Sequence, residues 1–426
     1  MSTVQIGDRS VRSAELIALL ALSVALAALG IDIMLPAFGA IRTELGLAAD
    51  STAVGALVTA YLVGLAVGQL AWGPLSDRYG RRAILHAGYA LYTLGALAAA
   101  LAPSFGLLVA ARTGWGLGAA GPRVVTVAAV RDVYVGDRMS RAMSFVMAVF
   151  ILVPVVAPSL GAAVVAVADW RWVFGVCVAA AAVMAVWALR LPETLAPEHR
   201  LELDLRRLAS AARFVVSDRV TVGYTLALTA VFGVFISWIA TSELLIGEVF
   251  GRPRAFPVIF GGLALVIGAA MLVNARVVPR VGTVRLAHGV LIGYLLAAGL
   301  LVGIAVASAG RPPLPVFLGG LAVMLACHAL LIPNFTTLAM EPMGAVAGTA
   351  SALIGAVQVA GGALAGAALD RAFDGTVRPL SLGFLGYGLV AAAAVLWAER
   401  GRLFARQLEP VGAGRQDPPP RAERPG

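Results

Sequence analysis

Long apolar stretches dominate this 426-residue chain and restrict its possible folds more than any other feature. A helix needs roughly 20 apolar residues to cross a bilayer, and charged or turn-forming breaks leave twelve stretches of sufficient length. Barrel strands would be about half as long and would alternate between apolar and polar residues. Since 60% of the residues are hydrophobic and 13% are charged, we predict an all-α membrane protein with twelve transmembrane helices.

A charged segment divides the predicted spans into two sets of six. Residues 191–219 predict a connector with a short amphipathic piece, 201–214. We therefore expect an N-terminal bundle (1–190), a C-terminal bundle (220–403) and a disordered tail (404–426) rich in Arg, Pro and Gly. The first apolar run is too long for a cleavable leader and should remain as span 1. The spans are 14–38, 51–74, 83–102, 104–128, 142–167, 172–190, 220–247, 255–275, 286–308, 314–339, 344–368 and 379–398.

The chain is strongly basic, and its basic residues are unevenly distributed. All 32 are arginine, the net charge is +9 and the pI is about 10.3. With the N-terminus inside, 23 arginines fall in cytoplasmic segments and 7 in external loops. This excess places both termini in the cytoplasm. The basicity therefore indicates membrane topology and some attraction to anionic lipid, and it predicts no nucleic-acid partner.

The residue types that are missing or scattered exclude several chemistries. Without lysine there is no Walker-type phosphate-binding lysine, no Schiff base and no lysine general base. Cys177 and Cys327 each lie in an apolar run, and the four histidines lack metal-ligand spacing. The sequence also lacks a His/Asp/Glu cluster or a Ser/His pair. We therefore predict no metal, no cofactor and no enzyme activity.

Four charged residues interrupt the predicted spans. A charge inside a span costs about 2.5–3.5 kcal/mol or more, so it normally faces a partner or a water-filled cavity. Arg123 follows Arg112 by eleven residues, close to three turns of 3.6, so both should share one helix face. Asp32 and Glu243 lie in the outer halves of spans 1 and 7. The alternative for Asp32 and Glu243 is that each is an ordinary carboxylate at the outer membrane–water interface. For His328, a polar residue in span 10, the alternative to a cavity position is an ordinary position in the core.

The two halves contain a weak internal repeat. Two short groups recur at equivalent places in the six-plus-six arrangement, which favours parallel halves related by an axis along the membrane normal. Arg78, Gly80 and His86 recur 202 residues later as Arg280, Gly282 and His288, and Pro122-Arg123 recurs 211 residues later as Pro333-Asn334.

The segment from Gly73 to Arg82, between spans 2 and 3, resembles the signature loop of the major facilitator superfamily, G-x-L-x-D-R-x-G-R-R. The resemblance implies a cytoplasmic gating loop in which Asp77 pairs with Arg131 or a nearby arginine. The alternative is that the arginines only anchor the topology. The residues assigned to this loop are Gly73, Asp77, Arg78, Gly80, Arg81, Arg82 and Arg131.

Further motifs over residues 14–398 look like the Bcr/CflA drug:proton antiporters. They include Ile31-Asp32-Ile-Met-Leu-Pro36-Ala37, Arg131-Asp132-x-Tyr134, and Asp169-Trp-Arg-Trp-Val-Phe174. The resemblance implies a monomeric exporter of small lipophilic or drug-like molecules in the bacterial inner membrane, driven by proton antiport with alternating access. We assign proton coupling to Asp32, Arg112 and Glu243, the substrate cavity to Arg123, Asn334, Gln358 and Trp238, and a span 5 hinge to Pro154, Pro158 and Gly161.

The chain departs from this group at two places. Ala157 and Ala162 stand where glycines are usual in span 5, and span 4 carries the additional Arg123. Two arginines in a cavity would suit a carboxylate, so the alternative is a proton-coupled transporter of an organic acid or other metabolite.

Overall fold

The computed structural model describes residues 3–6, 9–196, 198, 200 and 205–404. A short antiparallel hairpin, β1 (Thr3–Ile6) and β2 (Arg9–Arg12), precedes the first long helix, and the rest is almost entirely helical. The predicted disordered tail falls outside the described residues except for Phe404.

The first half contains six long helices and one short one. Serine and aspartate side chains cap several helices of the chain. Ser104 accepts a hydrogen bond from the backbone N–H of Leu107 at the start of the helix in predicted span 4. The helices are α1 (Ser13–Asp32), the short α2 (Phe38–Glu44), α3 (Ala56–Tyr79), α4 (Arg81–Ala100), α5 (Phe105–Val133), α6 (Asp137–Val167) and α7 (Arg171–Ala188).

The second half begins with an amphipathic helix of the connector, α8 (Leu205–Ser217). Asp218 caps the next helix by accepting a hydrogen bond from the N–H of Thr221 at 2.7 Å. The helices that follow are α9 (Arg219–Leu244), α10 (Phe256–Val281), α11 (Thr283–Ala307), α12 (Leu314–Met340), α13 (Ala347–Asp370) and α14 (Arg378–Ala398).

Several helices extend beyond the apolar stretches that predict them. Helix α3 continues five residues past position 74, because hydropathy marks the part suited to lipid whereas the helix ends only at a stop signal. That signal is Gly80, whose φ of +95° favours glycine, and Gly282 with φ +87° ends α10 in the same way. Predicted span 1 is interrupted instead: α1 ends at Asp32, ahead of Pro36, and the chain resumes as α2.

Eleven helical segments in the described part of the chain are long and apolar enough to cross a membrane. The helix of predicted span 4, α5, is not among them, because its arginines and glycines lower its mean hydropathy. It is instead packed tightly between α3 and α4.

The same helix packing occurs in both halves. In the first half α1 packs on α6, α3 and α4 pack on α5, and α4 packs on α7; in the second, α9 packs on α13, α10 and α11 on α12, and α11 on α14. Between the halves, α3 packs on α13 and α6 on α10. This repetition agrees with the internal repeat in the sequence, while the domain boundaries themselves stay a prediction.

Glycines bring α3 and α5 into direct backbone contact. A Cβ at Gly64 would overlap the carbonyl of Thr113, and one at Gly116 would overlap the carbonyl of Tyr61. Small residues at helix interfaces allow this approach in membrane proteins. The contact fixes the height of α5 relative to α3, and it thereby fixes the position of Arg112.

Candidate functional site

Arg112 is completely buried where α1, α3 and α5 meet. Its Nη1 donates a hydrogen bond to the carbonyl of Gly30 at 2.7 Å, and its Nε donates to the carbonyl of Leu57 at 3.1 Å. The guanidinium also lies 4.4 Å from the ring centroid of Tyr61 and 4.7 Å from that of Trp115. Carbonyl dipoles and aromatic faces therefore replace water around this cation.

Asp32 lies at the end of α1, two residues beyond Gly30, and is 4% exposed. Within the described ranges its carboxylate has neither a hydrogen bond nor an ion pair, so Asp32 and Arg112 do not pair. Both lie within electrostatic range of the Tyr61 hydroxyl. The first half thus buries an acid and a base near one phenol, yet keeps them apart.

Arg123 lies on α5, three turns from Arg112, and is half-buried. It too lies within electrostatic range of Tyr61, and the shared helix face stays a prediction. Among residues 9–196 and 205–404, no side chain or carbonyl forms a hydrogen bond or ion pair with its guanidinium. The site therefore contains one cation that is available to a bound molecule.

The other residues assigned to the cavity lie in the second half. Asn334 donates from Nδ2 to Oδ1 of Asn274 on α10 and to the carbonyl of Leu330, both at 2.7 Å. Trp238 is buried and stacks on Phe260 with centroids 6.2 Å apart, whereas Gln358 is half-buried on α13. Asn334 thus ties α12 to α10. The sequence prediction does not include Asn274. Its polar amide inside an apolar span is a signal that could have identified it.

His328 of α12 forms an aromatic stack with two phenylalanines of α9. Its ring centroid lies 4.4 Å from that of Phe235 and 6.4 Å from that of Phe232, with interplanar angles of 22° and 26°. The histidine is 7% exposed. This environment fits the core position given above as the alternative.

Glu243 forms an ion pair that joins the two halves. Its Oε2 accepts a hydrogen bond from Nη2 of Arg42 on α2 at 2.5 Å, and the side chains of Arg42 and Glu243 are 3% and 17% exposed. Glu243 follows Asp32 by 211 residues, the interval that separates Asn334 from Arg123. The sequence placed Arg42 only in a loop, because nothing local indicates a partner 201 residues away. We call this end of the bundle the Arg42 face.

The signature loop lies at the opposite end, which we call the Asp77 face. Arg81 is its centre: Nη1 donates to Oδ1 of Asp77 at 2.6 Å and to Oγ of Ser76 at 2.9 Å, and Nε donates to Oδ2 of Asp132 at 2.9 Å. Asp77 therefore pairs with the nearby arginine rather than with Arg131. Arg131 is exposed, because adjacent residues on a helix point about 100° apart and Asp132 is the one turned toward the loop.

Glu193, which the sequence did not single out, completes the loop. Its carboxylate accepts hydrogen bonds from the backbone N–H groups of Arg81 at 2.8 Å and Arg82 at 3.1 Å. The first N–H groups of a helix lack intrahelical partners and carry partial positive charge, so a carboxylate there stabilises α4. A Cβ at Gly80 would collide with this carboxylate, so the close approach of Glu193 is a second reason, besides the positive φ, why this position requires glycine.

The remaining loop residues are peripheral. Arg82 donates from Nη2 to the carbonyl of Leu189 at 3.1 Å, and the Arg78 guanidinium lies 5.3 Å from the ring centroid of Tyr79. Gly73 is half-buried within α3, one residue before Pro74. These residues join the loop to the end of α7 and to solvent.

Helix α6 contains the predicted hinge but is one continuous helix through Pro154 and Pro158. At Gly161 it touches α1 so closely that a Cβ would overlap the carbonyl of Ile33. Because Ile33 follows Asp32 directly, a movement of α6 would also displace the backbone next to the buried carboxylate. The hinge role itself stays a prediction.

Two repeats of one helix packing that enclose buried charges are typical of secondary transporters of the membrane. The chain belongs to the Major Facilitator Superfamily, whose sequence model matches residues 20–366. The family prediction is thereby confirmed. Members of this family are transporters and not enzymes, in agreement with the absence of catalytic constellations from the sequence.

Relatives and a solved structure agree with this assignment. The chain is 31% identical over 344 residues to the uncharacterized MFS-type transporter YdgK of Bacillus subtilis, covering 79% of this chain and 84% of that relative. It is 29% identical over 357 residues to the bicyclomycin resistance protein homolog of Haemophilus influenzae, covering 82% and 87%. A D-xylose-proton symporter shares the fold, with TM-score 0.71, 15% identity and coverage of 91% and 96%.

Proposed function

We propose that the chain exports small lipophilic or drug-like molecules in exchange for protons by alternating access. The observation that carries the proposal is Asp32, a carboxyl group that is buried without a partner among the described residues, at the end of the helix that Arg112 holds through Gly30. Such a group must accept a proton or reach water when the protein changes state. The relative named for bicyclomycin resistance supports a drug-like substrate.

The proposed topology has twelve spans with both termini in the cytoplasm of a bacterial cell, in the inner membrane. Helix α5 has 29 residues, about 43 Å at 1.5 Å per residue, which is long enough to cross a bilayer. Arg112 and Arg123 lie inside the bundle and Arg131 lies at the end of the helix, so its low hydropathy does not oppose insertion. The Asp77 face is then cytoplasmic and the Arg42 face external.

The state described here is closed at the Arg42 face. The Arg42–Glu243 ion pair joins α2 to α9, and Gly55, ahead of α3, lies against Ala240 of α9. In the proposed cycle this face opens, water reaches Asp32 and a proton binds there. The face then closes, and the proton leaves toward the cytoplasm as the substrate enters the cavity.

In the proposed cycle, Arg112 keeps its own position fixed relative to α1 and α3 while the Arg42 face opens and closes. Its bonds to Gly30 and Leu57 tie α1 and α3 to α5, while Asp32 itself has no ion pair in the described part of the chain. Asp32 can therefore alternate between its neutral and charged forms, whereas a direct ion pair would hold it charged.

One observation favours the second candidate, transport of an organic acid. Arg123 is half-buried and without a partner in the described part of the chain, and an unpaired guanidinium binds carboxylates in a bidentate manner. The two candidates share the proton site and differ in the substrate.

Flux into proteoliposomes tests both candidates. Purified protein is reconstituted with an imposed pH gradient, and a panel of cationic, neutral and anionic compounds is measured. We expect uphill movement of neutral drug-like compounds against an opposing proton flow. Movement of carboxylates alone would favour the organic acid transporter, and flux that ignores the pH gradient would contradict proton coupling.

A further inference from the structure

A second carboxyl group, Asp370, is buried at the Arg42 face. It is the last residue of α13 and is 5% exposed. The apolar stretch that predicts this helix ends at position 368, so Asp370 was assigned to the loop beyond it. The helix in fact continues and carries the carboxyl group into the protein.

The two carboxylate oxygens of Asp370 face different halves of the molecule. Oδ1 accepts a hydrogen bond from the hydroxyl of Ser237 on α9 at 2.5 Å. Oδ2 lies against Gly55 of the first half, 3.2 Å from where a Cβ on that glycine would stand. One oxygen is therefore held within the second half, and the other is covered by the first.

The surroundings of Asp370 contain little that could stabilise a negative charge. It borders a small cleft that Ser237, Thr241, Leu245 and Phe373 help to line. The Tyr387 phenol on α14 is within electrostatic range. No arginine pairs with Asp370 in the part of the chain that the structure describes, and its neighbour Arg371 is exposed. Among the described residues, the ion pair that joins the two halves is Arg42–Glu243.

Closure of the Arg42 face and the charge of Asp370 are therefore linked. An ionised carboxylate buried without a cation is costly, whereas the neutral acid keeps the bond to Ser237 at little expense. Opening separates the halves, withdraws Gly55 and admits water to Oδ2, so the open state favours the ionised form. A ligand that prefers one of two states shifts the equilibrium toward it, and here the ligand is a proton.

We propose that Asp370 is a second proton-binding site, separate from Asp32, that stabilises the closed Arg42 face when it binds a proton. The inference rests on the alternating access of the proposed function. The proton arrives from the water at the Arg42 face and returns there on reopening, so it is not one of the protons exchanged for substrate. Acid at this face favours closure, and alkali favours opening.

The test measures the distance between spin labels across the Arg42 face. Labels are attached at Ala49→Cys and Ala372→Cys, both exposed positions, in a chain carrying Cys177→Ala and Cys327→Ala. In lipid nanodiscs, a move from acidic to alkaline buffer should raise the population of the longer distance several-fold. With Asp370→Asn, which keeps an acceptor for Ser237 and cannot ionise, the short distance should dominate at both pH values.

Three further variants complete the test. Ser237→Ala removes the hydrogen bond without removing the acid and should displace the pH midpoint, so it serves if Asp370→Asn does not fold. Asp374→Asn, an exposed carboxylate four residues away, should leave the pH response unchanged. Glu243→Gln tests the acid of the ion pair at this face, and loss of the pH response there but not in Asp370→Asn would overturn the proposal.

A pH response that persists in Asp370→Asn, or is absent from the parent chain, overturns the proposal. Proton-driven flux is measured separately on the unlabelled protein. If that flux fails while the distance still depends on Asp370, exchange is refuted and the site stands. If the flux succeeds and Asp370→Asn changes nothing in the distance, the site is refuted and exchange stands.

Discussion

At the scale of single residues, the molecule separates charges that a simple ion pair would join. Arg112 donates from two of its guanidinium nitrogens to carbonyls and leaves Nη2 without a hydrogen bond among the described residues, Asp32 has no partner in the described ranges, and Arg123 is available to a ligand. Each of these three residues therefore has a different expected phenotype, and the phenotypes can be separated by substitution.

Asp32→Asn should separate coupling from movement. The amide keeps the shape and the hydrogen-bonding capacity but removes the titratable proton, so uphill export driven by a pH gradient should be lost while downhill exchange survives. Both rates are measured in the same proteoliposomes. Asp50→Asn, an exposed carboxylate of the following loop, serves as control and should behave as the parent. Full pH-driven accumulation in Asp32→Asn would exclude it as the proton carrier.

Arg123→Ala should change which compounds are carried. Hydrogen bonds to charged groups contribute about 1.5–3 kcal/mol, so the apparent affinity for acidic or strongly accepting substrates should fall roughly 10- to 100-fold. Binding of apolar compounds should change little, and competition assays across the panel measure this. Arg131→Ala, at the exposed end of the same helix, is the matched control. A substrate profile identical to the parent would make Arg123 a packing residue.

Arg112→Ala should impair transport of every substrate. It removes the hydrogen bonds that Arg112 donates to the carbonyls of Gly30 and Leu57, and with them the tie between three helices, at a cost of about 1–3 kcal/mol or more. The protein should melt at a lower temperature in detergent, and all fluxes should fall together. Selective loss of one substrate class would show that Arg112 binds substrate directly.

At the scale of helices, the specific contacts that hold the signature loop lie at helix ends. Gly80 and Gly282 have the same left-handed conformation at equivalent places, with φ of +95° and +87°. In the first half, the carboxylate of Glu193 covers the turn at Gly80 and caps α4. The chain entering the connector is thus fastened to the signature loop.

Glu193→Ala should weaken this fastening. Loss of a helix-capping acceptor costs about 0.5–2 kcal/mol, so the protein should remain in the membrane but melt earlier and transport several-fold more slowly. Glu193→Gln, which keeps one acceptor, should lie between. Thermal unfolding and flux are compared with Glu198→Ala, an exposed acid of the same connector. Equal behaviour of the two alanine variants would remove the capping role.

At the scale of the whole molecule, the ion pair at the Arg42 face is a contact between halves that sequence spacing could not indicate. Arg42→Ala leaves Glu243 without its partner and should favour opening by about 1–3 kcal/mol, roughly a 5- to 150-fold change in the ratio of open to closed states. The label pair at Ala49 and Ala372 measures the ratio. The exchange Arg42→Glu with Glu243→Arg should restore closure, and its failure to do so would refute a direct pair.

Much of the architecture follows from the sequence because hydropathy and arginine placement act over short stretches. The helices, the repeat and the positions of Asp32, Arg112 and Arg123 within apolar spans could be predicted in this way. The ion-pair partners could not be predicted, because they are far apart in the sequence. Arg81 pairs with Asp132 across 51 residues, and Arg42 pairs with Glu243 across 201 residues. The buried position of Asp370 was not predicted, because an apolar stretch can end before the helix that contains it ends.

The long-range ties around Arg112 and Glu243 also order the events of biosynthesis. Gly30 and its donor Arg112 are 82 residues apart, so α1 and α3 must wait in the membrane for α5, roughly 4–16 s at about 5–20 residues per second. Arg42 waits longer, until the ribosome has made α9. A chain paused before Arg112 presents α1 and α3 to lipid or to the insertion machinery without the residue that ties them together, whereas a chain paused after α7 lacks only the partner of Arg42, at one end of the bundle. Nascent chains truncated before Arg112 should therefore stay bound to membrane chaperones, whereas chains truncated after α7 should be released as a folded first half.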